Sequence, residues 1–223
     1  MGSYICALLL LFIPFVFFSQ SEVYEKNIWR SLVVKHKISD KYNFTFDVGY
    51  RIFDEFIKKR RQYLVRGLFE RKIRDNQSVG FGFAYFESIS SSLNDYRKEI
   101  RPFVQYQYSY KKANSNFSLR FRNELRDFIE DKRIVNRARL QFNFEYKFQK
   151  YFAPKLSVEE FLTTPKKIVL EHRYGLSNTF YFSELINFNV FYILQFQSSV
   201  KMNNRFIPQN ILGLQLNLNI QKK

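Results

Sequence analysis

Apolar and polar residues alternate with a period of two along residues 27–220, almost without interruption. In residues 137–148, alanine, leucine, phenylalanine and tyrosine occupy every second position, and arginine, glutamine, asparagine, glutamate and lysine occupy the positions between them. Successive side chains of a β-strand point to opposite faces, whereas the apolar face of a helix repeats every three to four residues. The alternation therefore predicts an all-β chain whose strands have two different faces.

The alternating segments are too long for an ordinary soluble sheet. Each runs for roughly 10–14 residues, against about 5–6 in a globular strand, and this length matches a tilted strand that crosses a bilayer. Aromatic residues make up 19% and charged residues 25% of the chain, and the mean hydropathy is −0.34. An antiparallel transmembrane β-barrel reconciles these values, because it exposes aromatic side chains to lipid and keeps charges inside.

The N-terminal segment predicts export. Residues 5–18 are apolar and uncharged, and the serines at positions 19 and 21 resemble a small-x-small cleavage site. The segment is shorter than the ~20 residues of a spanning helix, and it contains Pro14. Residues 1–21 are therefore predicted to be a cleaved signal peptide, with a retained signal anchor as the alternative. Residues 22–223 are predicted to form a barrel in the outer membrane of a Gram-negative cell.

Export also limits the partners of this basic chain. A formal net charge of +16 would suggest nucleic acid as the partner of an intracellular protein, but an exported barrel does not meet nucleic acid. The expected partners are outer-membrane lipids, lipopolysaccharide and the barrel-assembly machinery. The basic run at residues 58–61 is predicted to lie in a solvated loop, with lipopolysaccharide phosphate as an alternative contact. Tyr106, Tyr108 and Tyr110 are predicted to belong to an aromatic girdle, with stacking on bases or sugars as the alternative.

The count of alternating segments conflicts with the even number of strands usual in such barrels. The alternating segments number about eleven, whereas single-chain bacterial barrels have an even number of strands and both termini on the periplasmic side. We therefore expect about ten to twelve strands, with at least one strand boundary misplaced. Short connections alternate with longer ones, which predicts tight turns at one rim and loops at the other. The predicted longer connections are residues 53–60, 87–98, 129–133, 163–167 and 199–208.

A constellation of charged residues lies on the polar face of successive strands in the middle of the chain. Its members are Glu99, Arg101, Arg120, Arg122, Glu124, Arg126, Arg137, Arg139 and Glu145. Same-face side chains of adjacent antiparallel strands lie within about 5 Å of each other, so these residues are predicted to form cross-strand ion pairs in the lumen. The network is expected to fill the interior of a small barrel. An anion-selective or phosphate-binding constriction is the alternative.

Motifs in this region resemble those of an uncharacterised family of predicted outer-membrane barrels that is common in Bacteroidota-like bacteria. They are E-x-R-P-x-x-Q at residues 99–105, R-x-R-x-E-x-R at residues 120–126, and R-x-R at residues 137–139. The family also carries a tryptophan in its first strand, a glutamate in a late strand and an arginine in the next. The matching residues here are Trp29, Glu159 and Arg173. The resemblance covers nearly the whole mature chain and implies a location and a fold, but no activity.

No catalytic residue, cofactor or metal site is predicted. The only cysteine, Cys6, precedes the cleavage site, and the chain contains no Gly-rich phosphate loop and no metal-ligand cluster. Some outer-membrane lipid hydrolases use a Ser–His pair on the outer wall, but neither His36 nor His172 has a serine neighbour on its own strand face. Glu159 and Glu160 point to opposite faces of a strand, which makes them poor acid–base partners.

Two alternatives to a structural or narrow-pore barrel are left open. The first is an outer-membrane lipid-modifying enzyme with His172 as its base. The second is a soluble periplasmic lipocalin-like binder.

Overall fold

Eleven strands close into a barrel in the computed structural model, which describes residues 25–55, 58–90, 95–148, 152–164, 169–199 and 205–221. The prediction of an all-β barrel of about ten to twelve strands is therefore confirmed. The predicted signal peptide, residues 1–21, lies outside the described residues, and so do residues 56–57, 91–94, 165–167 and 200–204 of the predicted longer connections.

The strands are 13 to 18 residues long. In chain order they are β1 (Glu25–Lys37), β2 (Tyr42–Glu55), β3 (Lys58–Arg74), β4 (Gln77–Ser90), β5 (Asp95–Lys112), β6 (Ser115–Phe128), β7 (Arg133–Tyr146), β8 (Phe152–Thr164), β9 (Val169–Tyr181), β10 (Ile186–Ser199) and β11 (Arg205–Gln221). Each strand pairs with its neighbours in sequence, and β1 also pairs with β11, so every strand has a partner on both sides and the barrel has no open edge.

The barrel closes through a parallel pair. Strand β1 runs alongside β11 in the same direction, from Glu25 opposite Gln209 to Lys37 opposite Gln221. An odd number of strands requires such a pair, because strict up-and-down alternation returns to its starting direction only after an even number. The expectation that the odd count came from a misplaced boundary is therefore wrong. The expectation that both ends lie at one rim is also wrong, since β1 begins at one rim and β11 ends at the other.

The longer connections predicted from the sequence are shorter in the structure. Only residues 56–57 separate β2 from β3, where a loop over residues 53–60 was predicted, and only residues 91–94 separate β4 from β5. Backbone pairing continues through the predicted loops, to Glu55 opposite Lys58 and to Ser90 opposite Asp95. The basic run at residues 58–61 accordingly lies on the first residues of β3 and not in a loop.

The apolar side chains of the alternation form the outer wall of the barrel. Exposed large hydrophobic residues come from all eleven strands, with Phe81 at 64% and Ile134 at 63% exposure among the most exposed. Tyr106 and Tyr110 lie on this outer wall at 36% and 48% exposure. In the described part of the chain, no helix has the length and apolar character needed to cross a membrane.

A small hydrophobic cluster faces the lumen from β3, β4 and β5. It consists of Leu64, Leu68, Ala84, Phe86 and Phe103. A Cβ on Gly82 would overlap the ring of Phe103 and lie 2.6 Å from the carbonyl oxygen of Gly67. The absence of a side chain at Gly82 therefore leaves room for the Phe103 ring to pack against the barrel wall. The cluster narrows the lumen on this side.

Candidate functional site

Polar side chains face the lumen and divide it into two kinds of surface. The inner face of β5 to β9 carries most of the charged residues, from Glu99 to Arg173, and we call it the charged wall. The inner face of β10, β11 and β1 carries asparagine and glutamine instead, and we call it the amide wall. Its residues include Asn27, Asn187, Asn189, Gln195, Gln209, Gln215 and Asn217.

Glu99 joins two arginines near one rim of the charged wall. Its carboxylate accepts bonds from Nε and Nη2 of Arg101 at 2.5 and 2.7 Å, and from Nε and Nη2 of Arg126 at 2.6 and 3.1 Å. Both arginines are bidentate, the geometry that makes guanidinium–carboxylate pairs strong. The guanidinium of Arg101 also lies 3.6 Å from the ring centre of Phe86, so the hydrophobic cluster supports its orientation.

Glu124 is the most buried carboxylate of the charged wall, with 2% of its surface exposed. Its Oε2 accepts bonds from Nε and Nη2 of Arg137 at 2.9 and 2.5 Å, and its Oε1 accepts a bond from Nη1 of Arg139 at 2.6 Å. Nη1 of Arg122 lies 3.8 Å from the same Oε1. A single buried carboxylate therefore faces three guanidinium groups.

Glu159 extends the network towards β9. Its Oε1 accepts bonds from Nη2 of Arg139 at 2.7 Å and from Nη2 of Arg120 at 3.0 Å. Nη1 of Arg173 lies 3.8 Å from its Oε2, and Nη2 of Arg173 lies 2.5 Å from Glu171. Because Arg139 bonds both Glu124 and Glu159, the ion pairs form one connected chain across β6, β7, β8 and β9.

Eight of the nine charged residues singled out in the sequence make ion pairs in the structure. The ninth, Glu145, has no ion pair within 4 Å among the described side chains, and its cross-strand neighbour is Lys155. Arg122 is bound mainly by an amide, since its Nε and Nη2 donate to Oε1 of Gln105 at 3.1 and 2.5 Å. Gln105 in turn donates to Glu70 at 2.9 Å.

The sequence analysis missed charged residues on β2 and β3. Arg66 donates to the buried carboxylate of Asp47, directly opposite on the neighbouring strand. Arg51 donates to Oε1 of Gln62 at 3.2 Å and lies 4.0 Å from the ring centre of Trp29. The register of β2 against β3, from Tyr42 opposite Arg71 to Glu55 opposite Lys58, pairs Asp47 with Arg66. Because the sequence analysis placed residues 53–60 in a loop, it did not predict this register.

Two cavities of the lumen meet near its middle. One has a volume of about 770 Å³ and lies towards the rim of the short turns, and the other has a volume of about 470 Å³ and lies against the charged wall, Trp29 and the amide wall. The six residues that line both cavities are Arg66, Arg120, Arg122, Gln141, Lys155 and Gln215. Four of the six are cations and none is a carboxylate, so the junction is basic.

A histidine and a carboxylate meet on the outer wall, a contact that the sequence analysis did not anticipate. Nδ1 of His172 contacts a carboxylate oxygen of Glu160 on the neighbouring strand, and the two side chains are 29% and 40% exposed. Ser198, on the other neighbouring strand, accepts a bond from the backbone nitrogen of Leu170 at 3.1 Å. No group of three or more potential metal ligands lies together in the described part of the chain.

Residues 26–205 match the model of a family described as "Protein of unknown function (DUF2490)". The chain belongs to the DUF2490 family. This match confirms the resemblance to an uncharacterised family. It covers Trp29 and every strand from β1 to β10, and so includes the whole charged wall. An origin in Bacteroidota-like bacteria stays a prediction. No curated protein sequence matches this DUF2490 chain.

Solved structures similar to this DUF2490 chain are distant. The NanC porin shares 14% identity over 80% of this chain and 86% of that chain, with a TM-score of 0.49. OmpT, an outer membrane protein of Vibrio cholerae, shares 7% identity over 78% of this chain and 81% of that chain, with a TM-score of 0.43 in its in-vitro folded form. At these values, neither similarity supports a statement about what this chain binds.

Proposed function

We propose that this barrel is a narrow, anion-selecting pore of the outer membrane. The basic junction between the two cavities is the observation that supports this proposal most strongly. A solute that passes from one cavity to the other meets Arg66, Arg120, Arg122 and Lys155, and no carboxylate lines both cavities. Rings of arginine and lysine side chains select anions in other pores. In this proposal the lumen passes solutes without changing them chemically.

The balance of charge in the cavity of about 470 Å³ also favours anions over cations. Ten inward-facing arginines and four carboxylates line the cavity of about 470 Å³. The carboxylates neutralise part of this positive charge through the ion pairs of the charged wall. The charge that remains on the lumen is positive. Charges in a narrow, low-dielectric passage interact with a solute more strongly than they would in water, so a modest excess is enough to discriminate anions from cations.

The outer wall supports placement in a membrane. Exposed apolar patches on soluble proteins rarely exceed a few hundred Å², whereas here every strand contributes exposed aromatic or aliphatic side chains. An apolar outer surface around a polar interior is the arrangement of outer-membrane barrels. A soluble lipocalin-like binder has the opposite arrangement, because its ligand cavity lies inside the barrel and its outer face meets water.

The ion pairs of the charged wall explain why the pore is narrow. Arg139, Glu124 and Glu159 hold one another by bonds of 2.6 to 2.7 Å, and they occupy space in the lumen that water or solute would otherwise fill. Because Glu124 and Glu159 each bond two arginines, one group cannot move without disturbing its neighbours. The proposed pore therefore passes small anions and excludes large ones.

Location and conduction are tested with the whole mature chain. We expect the protein to fractionate with outer membranes, to migrate differently on gels before and after boiling, and to produce steady current steps after reconstitution in planar bilayers. A chain that stays in the aqueous fraction without detergent would support the soluble binder and contradict the proposal. A chain that folds in the membrane but carries no current would leave only the structural role.

A further inference from the structure

Arg51 differs from the other central arginines in having no carboxylate partner. Arg101, Arg137 and Arg139 all bond glutamates, whereas Arg51 bonds only the amide oxygen of Gln62 at 3.2 Å. None of the described side chains places a carboxylate within 4 Å of its guanidinium. Arg51 lines the cavity of about 470 Å³, so an anion in that cavity would supply the missing partner.

Trp29 fixes the place of this guanidinium. The Arg51 guanidinium lies 4.0 Å from the indole centre, and that of Arg173 lies 5.3 Å from it. Cation–π contacts of this kind orient an arginine without neutralising it. The cross-strand neighbour of Trp29 on β11 is Gly213, whose missing side chain leaves room for the ring of Phe191, and Phe191 meets the indole edge-on at 6.5 Å.

The amide wall faces the same cavity. Asn189, Gln195, Gln209 and Gln215 line it together with Trp29, and Gln195 donates to Gln209 at 3.0 Å. A carboxamide both donates and accepts hydrogen bonds, which matches the hydroxyl groups of a sugar. A chloride or phosphate ion alone would need no such surface.

The size of this cavity fits a small molecule. The volume of about 470 Å³ is typical of small-molecule sites, which span roughly 300–1,000 Å³.

We infer that the lumen contains a binding site for an acidic monosaccharide, with its oxyanion on Arg51 and its hydroxyls on the amide wall. This inference rests on the proposed pore, because it names the class of anion that the pore carries. The fork of donors on Arg51 pairs with a carboxylate or a phosphate in the same planar geometry. A uronic acid and a sugar phosphate share this chemistry: one oxyanion on a hydroxylated ring.

Trp29 is the only tryptophan of the chain, so its fluorescence reports directly on this site. We expect glucuronate or glucose 6-phosphate to change the fluorescence of the refolded protein in detergent micelles in a saturable way. Glucose, which lacks the oxyanion, and acetate, which lacks the hydroxyls, are each expected to require at least about tenfold higher concentrations, which corresponds to about 1.4 kcal/mol. The stronger of the two acidic ligands identifies whether the site prefers a carboxylate or a phosphate.

A pair of variants distinguishes loss of the Arg51 contact from loss of one positive charge elsewhere on the protein. Arg51→Gln is expected to weaken binding of the acidic sugar about tenfold or more, while Arg71→Gln, at an exposed position of β3, is expected to leave it unchanged. Equal binding of glucuronate and glucose to the wild type would contradict the site, and this comparison needs no variant. Equal binding to wild type and Arg51→Gln would also contradict it.

The titration is independent of conduction. If the protein conducts anions but its Trp29 fluorescence responds equally to glucuronate, glucose and acetate, the result supports the proposed pore and contradicts the proposed site. If the protein binds glucuronate selectively but carries no current, the result supports the proposed site and contradicts the proposed pore.

Discussion

Replacing Glu124 by glutamine is expected to lower the free energy of unfolding by about 3–5 kcal/mol. Glu124 is 2% exposed and accepts bonds from Arg137 and Arg139, with Arg122 nearby. Glutamine keeps the volume of the side chain but removes its charge, so three guanidinium groups lose the carboxylate that compensates for their burial. Removing one partner of a buried ion pair costs folding free energy, because the partner that remains is a charge buried away from water.

The measurement is urea unfolding of the protein in detergent micelles, followed by the fluorescence of Trp29. Glu184→Gln is the matched control, because Glu184 lies exposed in the turn between β9 and β10. Surface substitutions usually change the free energy of unfolding by no more than about 0.5 kcal/mol. If Glu124→Gln unfolded at the same urea concentration as Glu184→Gln, the ion pairs of the charged wall would have no structural role.

Gly213→Ala is expected to destabilise the barrel by about 1–3 kcal/mol, the usual cost of overpacking. A Cβ at this position would overlap the ring of Phe191, and the three nearest atoms that it meets all belong to that ring. No backbone atom is among these three. Shortening Phe191 should therefore remove the cost, and Gly213→Ala should become nearly neutral in the background of Phe191→Ala.

A double-mutant cycle measures this coupling by urea unfolding of the two single variants and the double variant. Gly67→Ala is the matched control, because a Cβ at Gly67 would lie 3.7 Å from its nearest neighbour, the ring of Phe44. This control should change stability little. A Gly213→Ala variant that is as destabilised with Phe191→Ala as without it would show that the Phe191 ring does not occupy the space beside Trp29.

The two-faced character of the strands could be predicted from the sequence because it depends on local alternation. The parity of residues 99–105 and 120–126 assigned the arginines and glutamates to one face, and the structure has them on one side of the barrel wall. The closure could not be predicted in this way. Whether β1 meets β11 in a parallel or an antiparallel direction depends on the number of strands and on the two ends of the chain, and no local pattern records it.

The partners within the charged wall depend on register, which local alternation also leaves open. Parity assigns Asp47 and Arg66 to the lumen, but only the register of β2 against β3 places them opposite each other. Arg51 was missed for a different reason. Its distinguishing property is that no described side chain offers it a carboxylate partner, and this becomes visible only when the positions of neighbouring side chains are known.

The sign of ion selectivity tests the proposed pore most directly. The reversal potential is measured for the reconstituted wild type and for the double variant Arg122→Gln/Lys155→Gln across a gradient of KCl. Both residues line the junction of the two cavities, and neither donates a hydrogen bond to a carboxylate among the described side chains, so their replacement leaves no buried acid unpaired. We expect the wild type to prefer chloride and the double variant to lose most of that preference. A wild-type pore that prefers potassium, or a double variant with unchanged selectivity, would contradict the proposal.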